Sequence, residues 1–249
     1  MTASRPLYDR IGANYRDYRR PDPRIAAAVH HGLAGARTVV NLGAGVGSYE
    51  PRDRTVVAVE PSRVMIAQRE RRAPPVVQAR TEALPFRDGS FECALAVLTL
   101  HHWSDVERGL YEARRVASDT LVLLTWIGFP NRFWLVDYLP QIETIDLGLF
   151  PTLEQLAGWL GPLRVITVPI PHDCRDGFLC AYWRRPWAYL DAGVRSAISA
   201  FSRLDGIDEG LARLAADLAA GRWQERYGAL LQRDEIDFGY RLVLSGNAA

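Results

Sequence analysis

Residues 38–60 read TVVNLGAGVGSYEPRDRTVVAVE. A β-branched apolar run ends in a cluster of glycines, Gly43, Gly45 and Gly47; after a short polar stretch a second run, TVVAV, ends in Glu60. Continuous apolar runs bounded by turn residues predict strands buried on both faces, the habit of parallel sheets. Glycine at the exit of the first run lets the chain turn sharply and lets a ligand lie against bare backbone amides.

Outward from this stretch, strand and helix alternate. The pattern predicts a helix over about 62–72, a short strand at 76–78, a strand entering FECALAVLTLHHW (91–103), a helix over 105–116 and a strand in DTLVLLTWIG (119–128). With right-handed crossovers this is an open, doubly wound Rossmann-like α/β sheet. Before it, LYDRIGANYRDYRR (7–20) carries aromatic and apolar residues at helical spacing, and a second helix, RIAAAVHHGLA (24–34), follows the break at Pro21-Asp22-Pro23. After it, 130–147 is rich in aromatics and leucine, TLEQLAGWL (152–160) reads as a helix and LRVITVPI (163–170) as a sixth strand. Residues 176–232 look helical, and FGYRLVLSG (238–246) reads as a seventh strand. The expected organisation is a helical cap over 1–36, an α/β core over 37–128, and lid helices over 129–249 whose two strands complete the same sheet.

Composition narrows the chemistry. The 249 residues carry 30 basic and 29 acidic side chains, with 48% hydrophobic and 24% charged residues, as in an ordinary globular protein. A net charge of +1 offers no general attraction for nucleic acid or anionic lipid. All 30 basic residues are arginine. Without lysine there is no P-loop cation, no Schiff-base nucleophile for pyridoxal or aldolase chemistry, and no kinase strand lysine. Cys93, Cys174 and Cys180 are too far apart for a CxxC, so no metal site is expected and a reduced compartment is. No apolar leader or membrane-length run is present, which predicts a cytoplasmic protein without membrane partners.

The glycine loop lies between two strands, and Glu60 stands thirteen residues after Gly47 at the tip of the neighbouring strand. A carboxylate there can accept hydrogen bonds from both ribose hydroxyls of an adenosine ligand, so loop and acid together predict a nucleoside site. The dinucleotide fingerprint GxGxxG/A would need Gly or Ala at position 48, where the chain has Ser48; GxGxG is completed at Gly47.

With these motifs on view, the chain resembles the class I S-adenosylmethionine-dependent methyltransferases, and among them the type 11 group related to ubiquinone/menaquinone-biosynthesis methyltransferases. The resemblance covers about residues 7–128 and rests on four segments: YDRIGANYRDYRRP, VVNLGAGVG, VVAVEPS and TEALPFRDGSFECALAVLTLHHW. In the last, Glu82, Leu84, Pro85, Phe86, Asp88, Ser90 and Phe91 reproduce the family's E-x-L-P-F-x-D-x-S-F pattern. The resemblance implies a seven-stranded sheet with its last strand antiparallel, S-adenosylmethionine as cofactor and a methyl acceptor as substrate. It implies that Gly43, Ala44, Gly45 and Gly47 line the methionine and ribose portion and that Glu60 holds the ribose. Pro61, Ser62 and Met65 would lie by the adenine, with Leu98 completing the pocket. Two positions depart from the family. Arg80 replaces an adenine-contacting acid, which shifts that contact to the backbone of Thr81 and Glu82, and Asn41 replaces an acid at the end of the first strand. Tyr15 and Arg20 match positions that close over the methionine end, Arg20 through the ligand's carboxylate; both also fit a solvated helix face.

Methyl transfer from a sulfonium is an in-line displacement governed by alignment and exclusion of water, and a general base is needed only for a poorly acidic acceptor. His101, His102 and His172 are the candidates for that role, each with a structural packing alternative. Trp103, Trp126, Phe129, Phe133, Trp134, Tyr138, Tyr182, Trp183 and Trp187 cluster in the segments expected to cover the strand ends. They suit an apolar or aromatic small molecule, or else the core beneath a lid. Arg184 and Arg185 are candidates for an acidic substrate group. The expected function is a small-molecule methyltransferase, monomeric or homodimeric. A non-catalytic S-adenosylmethionine-binding protein is the alternative. The even charge and HHW in place of an N/D-P-P-Y/F motif speak against nucleic acid.

Overall fold

The computed structural model describes residues 6–246; the first five residues of the expected cap and the last three of the expected lid lie outside them. Strands β1 (Thr38–Leu42), β2 (Thr55–Val59), β3 (Val76–Val77), β4 (Phe91–Val97), β5 (Ala117–Trp126), β6 (Arg164–Thr167) and β7 (Tyr240–Gly246) form one sheet in the order β3-β2-β1-β4-β5-β7-β6. The first five run parallel, and β7 is antiparallel to both its neighbours. This is the expected seven-stranded sheet.

From Cys93 onward in β4, and along β1, β5 and β7, side chains alternate between two cores because successive residues of a strand face opposite ways. Val39, Cys93, Leu95, Val122, Leu124 and Leu242 face one core; Val40, Leu42, Ala94, Ala96, Leu121, Leu123 and Val243 face the other. The helix Val106–Val116, capped by Asp105 through the Arg108 amide, and the helix Leu153–Leu160, opened by a Thr152–Gln155 capping box, cover the second face. The helix Pro23–Gly32 and the large insertion cover the first, which is why apolar runs rather than alternating ones mark β1, β4 and β5.

Several elements are shorter than their sequence patterns. The helix expected over 62–72 spans only Arg63–Ala67, started by Ser62, whose hydroxyl accepts from the Met65 amide. The 7–20 segment is two single turns, Tyr8–Ile11 and Tyr15–Tyr18. The sixth strand ends at Thr167; Ile170–Pro171 leaves the sheet and pairs with Glu235–Ile236 as a separate ribbon. Proline at 169 and 171 lacks the amide a continuing sheet strand needs. The segment 176–232 is mostly short helical turns, with Asp208–Ala219 its longest helix. Among the described residues no helix is long and apolar enough to cross a membrane.

The insertion packs as a core in its own right. Phe133, Trp134, Trp183, Tyr189, Trp223 and Phe238 are buried, and the indole N–H groups of Trp134 and Trp183 donate to the carbonyls of Trp183 and Ile170. Most of the aromatic cluster is therefore packing, and Trp187 is exposed.

Candidate active site

The strand order reverses between β1 and β4, and at this switch point the loops leaving the carboxyl ends of β1 to β4 part to leave a cleft. It holds about 1030 Å³ of atom-free space, solvent at its mouth included.

Its floor is the glycine loop. Gly43 has φ +63°, and a Cβ there would lie 2.0 Å from Thr99 Oγ1, so the loop touches the exit of β4 only because position 43 has no side chain. Gly43→Ala is expected to cost about 2–4 kcal/mol, from left-handed backbone strain plus overpacking. Thermal unfolding of Gly43→Ala and of Gly43→Ala/Thr99→Ala checks this, and the double variant should recover part of the loss. Gly45 faces Met65 across the cleft, whereas Gly47 lies behind the loop, where its missing Cβ leaves room for the Glu50 carboxylate. Gly43, Ala44 and Gly45 thus line the cleft and Gly47 does not.

Glu60 is buried at the tip of β2. One carboxylate oxygen accepts from the Gly45 amide and the other from the Ser62 amide, each at 2.8 Å. Each oxygen keeps a second lone-pair direction, so the acid can hold the loop and still accept two hydroxyls. Burial raises its pKa above the ordinary 4.5, against the pull of the two amides and Arg69. Asn41 donates to Glu50 Oε1 at 3.1 Å, and Glu50 is paired with Arg69, both almost fully buried. The negative charge missing at position 41 is present nine residues on, neutralised by arginine.

Pro61, Ser62 and Met65 form one side wall, tied to the N-terminal segment through Ser62 Oγ donating to Asp9 Oδ1 at 2.6 Å. Thr81 and Glu82 lie opposite, but the Glu82 carboxylate is committed to Ser104, accepting from its amide and its hydroxyl at 2.7 Å each. Leu98, left-handed at φ +49°, carries the chain off β4 and into the wall.

The N-terminal turns form the roof. Tyr15 faces the cleft; Arg20 is exposed and lies away from it, which corrects the sequence expectation. Arg19 takes that place because it is the extended residue that ends the Tyr15–Tyr18 turn, where successive side chains point to opposite sides, so that Arg20 is directed away. Its guanidinium lies over the Tyr15 ring, 4.9 Å from the centroid. Its Nε donates to Asp176 at 2.5 Å, and Asp176 also accepts from Tyr49 Oη at 2.8 Å. All three groups are buried, and Arg19 and Asp176 also pair as an isolated backbone bridge.

Tyr8, Arg19 and Leu98 are shared with a second cavity of about 580 Å³, solvent at its mouth included, walled by Trp126, Phe150, Phe178, Leu179, Ile198 and Tyr240 and including His101, Ser199 and Arg203. The two adjacent histidines part here. His102 faces the first cleft, its Nε2 3.2 Å from Tyr8 Oη; His101 faces the second cavity, its Nε2 3.4 Å from Ser199 Oγ. Burial, aided by the charges of Arg203 and Arg19, holds His102 at about 3; burial, His102 and the same arginines hold His101 well below its ordinary 6.5. Both rings stay neutral at physiological pH and are weak bases there.

His172 lies in neither cavity. Its backbone amide donates to the Asp234 carbonyl, and its ring Nδ1 is 3.2 Å from the same oxygen, while its neighbour Asp173 pairs with Arg24. Arg185 is consumed by the carbonyls of Cys174 and Ala181, and Arg184 points to that of Arg233. Sequence reasoning missed Tyr8, Arg19, Tyr49, Asp176, Ser199 and Arg203. Only Tyr8 and Arg19 had a signal, their spacing of seven and four residues about Tyr15.

The family model described as a methyltransferase domain matches residues 40–121. A solved structure from Anabaena variabilis, described as a "putative methyltransferase from antibiotic biosynthesis pathway", is 34% identical, with 92% of this chain and 98% of that one aligned and a TM-score of 0.85. A Thermotoga maritima structure, described as a "SAM-dependent methyltransferase, possible histamine N-methyltransferase", is 26% identical over 66% of this chain and 84% of that one, with a TM-score of 0.52. No curated protein gives a significant match. With near-complete coverage of a 34%-identical relative, and with a cleft floored by the glycine loop and edged by Glu60, the chain belongs to the class I S-adenosylmethionine-dependent methyltransferases.

Proposed function

We propose that the chain methylates a small apolar or aromatic molecule held in the second cavity. The observation that carries this is the shared wall: Tyr8, Arg19 and Leu98 belong to both cavities, so a ligand in one abuts a ligand in the other. Aromatic rings from four segments, Trp126, Phe150, Phe178 and Tyr240, supply the apolar surface that small-molecule sites use.

In the first cleft the Gly43–Ala44–Gly45 backbone and Met65 fit a nucleoside, and Glu60 has the free lone pairs to take its ribose hydroxyls. Bound there, S-adenosylmethionine supplies a methyl group on a sulfonium whose sulfur takes back the bonding electron pair on transfer. The protein's part is placement and exclusion of water. The Tyr8–Tyr15–Arg19 roof closes the cleft, and the neutral His101 and His102 orient groups through hydrogen bonds rather than carry protons away. The cap and the residue 129–246 segment act as the cover of one α/β core.

The test is production of S-adenosylhomocysteine with a panel of aromatic and aliphatic small molecules, beside peptides and oligonucleotides. Turnover is expected with small apolar acceptors. Phe150→Ala should raise the acceptor KM about tenfold or more, for a lost aromatic contact, and leave the Kd for S-adenosylhomocysteine unchanged. Turnover of a macromolecule alone, or an unchanged KM, would overturn the assignment of the second cavity.

A further inference from the structure

We infer that Arg203 selects an acceptor bearing an anionic oxygen group, a carboxylate or an ionised hydroxyl, on its apolar body. This rests on the second cavity being the acceptor's seat.

Among the described residues, the wall of that cavity contains two arginines, one histidine and no aspartate or glutamate. Arg19 is committed to Asp176. Arg203 is different: among the described residues its guanidinium makes neither a hydrogen bond nor an ion pair, yet it is half-buried against the cavity. Every other described arginine whose side chain lacks a partner is exposed, as at Arg71, Arg114 and Arg164. A guanidinium is costly to hold beside apolar surface without a counter-charge, and it presents a fork of donors matched to a carboxylate.

Its surroundings are arranged for such a group. Ser199 and Arg203 are the two ends of one short helical turn, Ser199–Arg203, and both reach the cavity. A carboxylate between them could take an N–H of Arg203 and the Ser199 hydroxyl while its body lies on Phe150 and Trp126. The arginine's charge is felt across the cavity, contributing to the depressed basicity of both histidines. An anion would balance it. A protonated amine would meet an arginine and, among the described residues of this wall, no acid, and a neutral acceptor would leave the cation as it stands. An ionised acceptor oxygen also needs no base, in keeping with two histidines held neutral.

The full chain saturated with S-adenosylhomocysteine is titrated calorimetrically with three acid and amide pairs: 2-naphthoate and 2-naphthamide, 4-phenylbutyrate and its amide, octanoate and octanamide. At least one acid should bind about 10- to 100-fold more tightly than its amide, as expected for a charge-assisted hydrogen bond. Arg203→Gln should erase that preference while leaving amide binding and the Kd for S-adenosylhomocysteine unchanged, and Arg203→Lys should restore part of it. Equal binding of acid and amide to the wild type, or a preference that survives in Arg203→Gln, overturns the role of Arg203 and leaves the apolar acceptor site standing. Binding of neither acids nor amides overturns the acceptor site itself, and this inference with it.

Discussion

Glu60→Ala is expected to weaken S-adenosylmethionine and S-adenosylhomocysteine by about 100- to 1000-fold, read by calorimetry, while NAD gives no heat with either protein. The size follows from two hydroxyl hydrogen bonds to a buried charged acceptor, each contributing about 1.5–3 kcal/mol with incomplete additivity. The loop contributes as well. Glu60 accepts from the amides of Gly45 and Ser62, so alanine leaves two backbone donors without partners beside the ligand. Glutamine does not rescue, because one of its two polar atoms is an NH2 facing a backbone N–H. An affinity for Glu60→Ala within threefold of wild type would remove Glu60 from the donor site.

The raised pKa of Glu60 gives this prediction a pH signature. Burial favours the protonated acid in the folded state, so the folded chain binds this proton more tightly than the unfolded chain does. Between the ordinary 4.5 and the raised value, this group's contribution to stability therefore falls as pH rises. Affinity for the nucleoside moves the other way, since the ionised carboxylate is the acceptor, and it should drop as pH falls through the raised value. Opposite slopes for thermal stability and ligand affinity in one pH window, both absent in Glu60→Ala, would identify the group.

The second large effect is expected at Asp176. Asp176→Ala leaves the Arg19 guanidinium buried without its counter-charge and Tyr49 Oη without its acceptor, at a cost of about 3–5 kcal/mol. Chemical unfolding measures the loss if the whole chain unfolds together. If the N-terminal turns detach instead, it appears as faster proteolysis within residues 6–22 and weaker S-adenosylhomocysteine binding. Removing both charges with Arg19→Met/Asp176→Leu should recover most of the stability, because the penalty lies in the orphaned partner rather than in the missing pair. A single variant as stable and as protease-resistant as wild type would mean that the cap is held by other contacts.

The lining of the first cleft was legible because its signals are local. Gly43, Gly45, Glu60, Ser62 and Met65 sit at strand exits whose apolar runs mark them, and steric need ties residue type to position. Arg20 was chosen where Arg19 serves because a single turn of helix gives too little pattern to fix its phase. Gly47 was placed against the ligand because its motif does not distinguish the inner from the outer side of the loop. His172 looked exposed to the pocket only while LRVITVPI was read as one sheet strand; once Pro169 and Pro171 divert the chain, it lies on a ribbon beyond the sheet. Asp176, Ser199 and Arg203 had no local signal at all. Their positions depend on how the insertion folds onto the strand ends, through packing of Trp134, Trp183 and Trp223 that no short spacing announces.

The Arg19–Asp176 contact joins residues 157 apart in sequence. During synthesis the glycine loop and β1 to β5 leave the ribosome before Asp176 has been added to the chain. The cap then has no anchor in the insertion, and loop-closure entropy makes so distant a pairing a late event in folding. The nascent chain thus passes through a stage in which most of the nucleoside cleft is already translated but roofless, and the enzyme is sealed only from its carboxyl-terminal half.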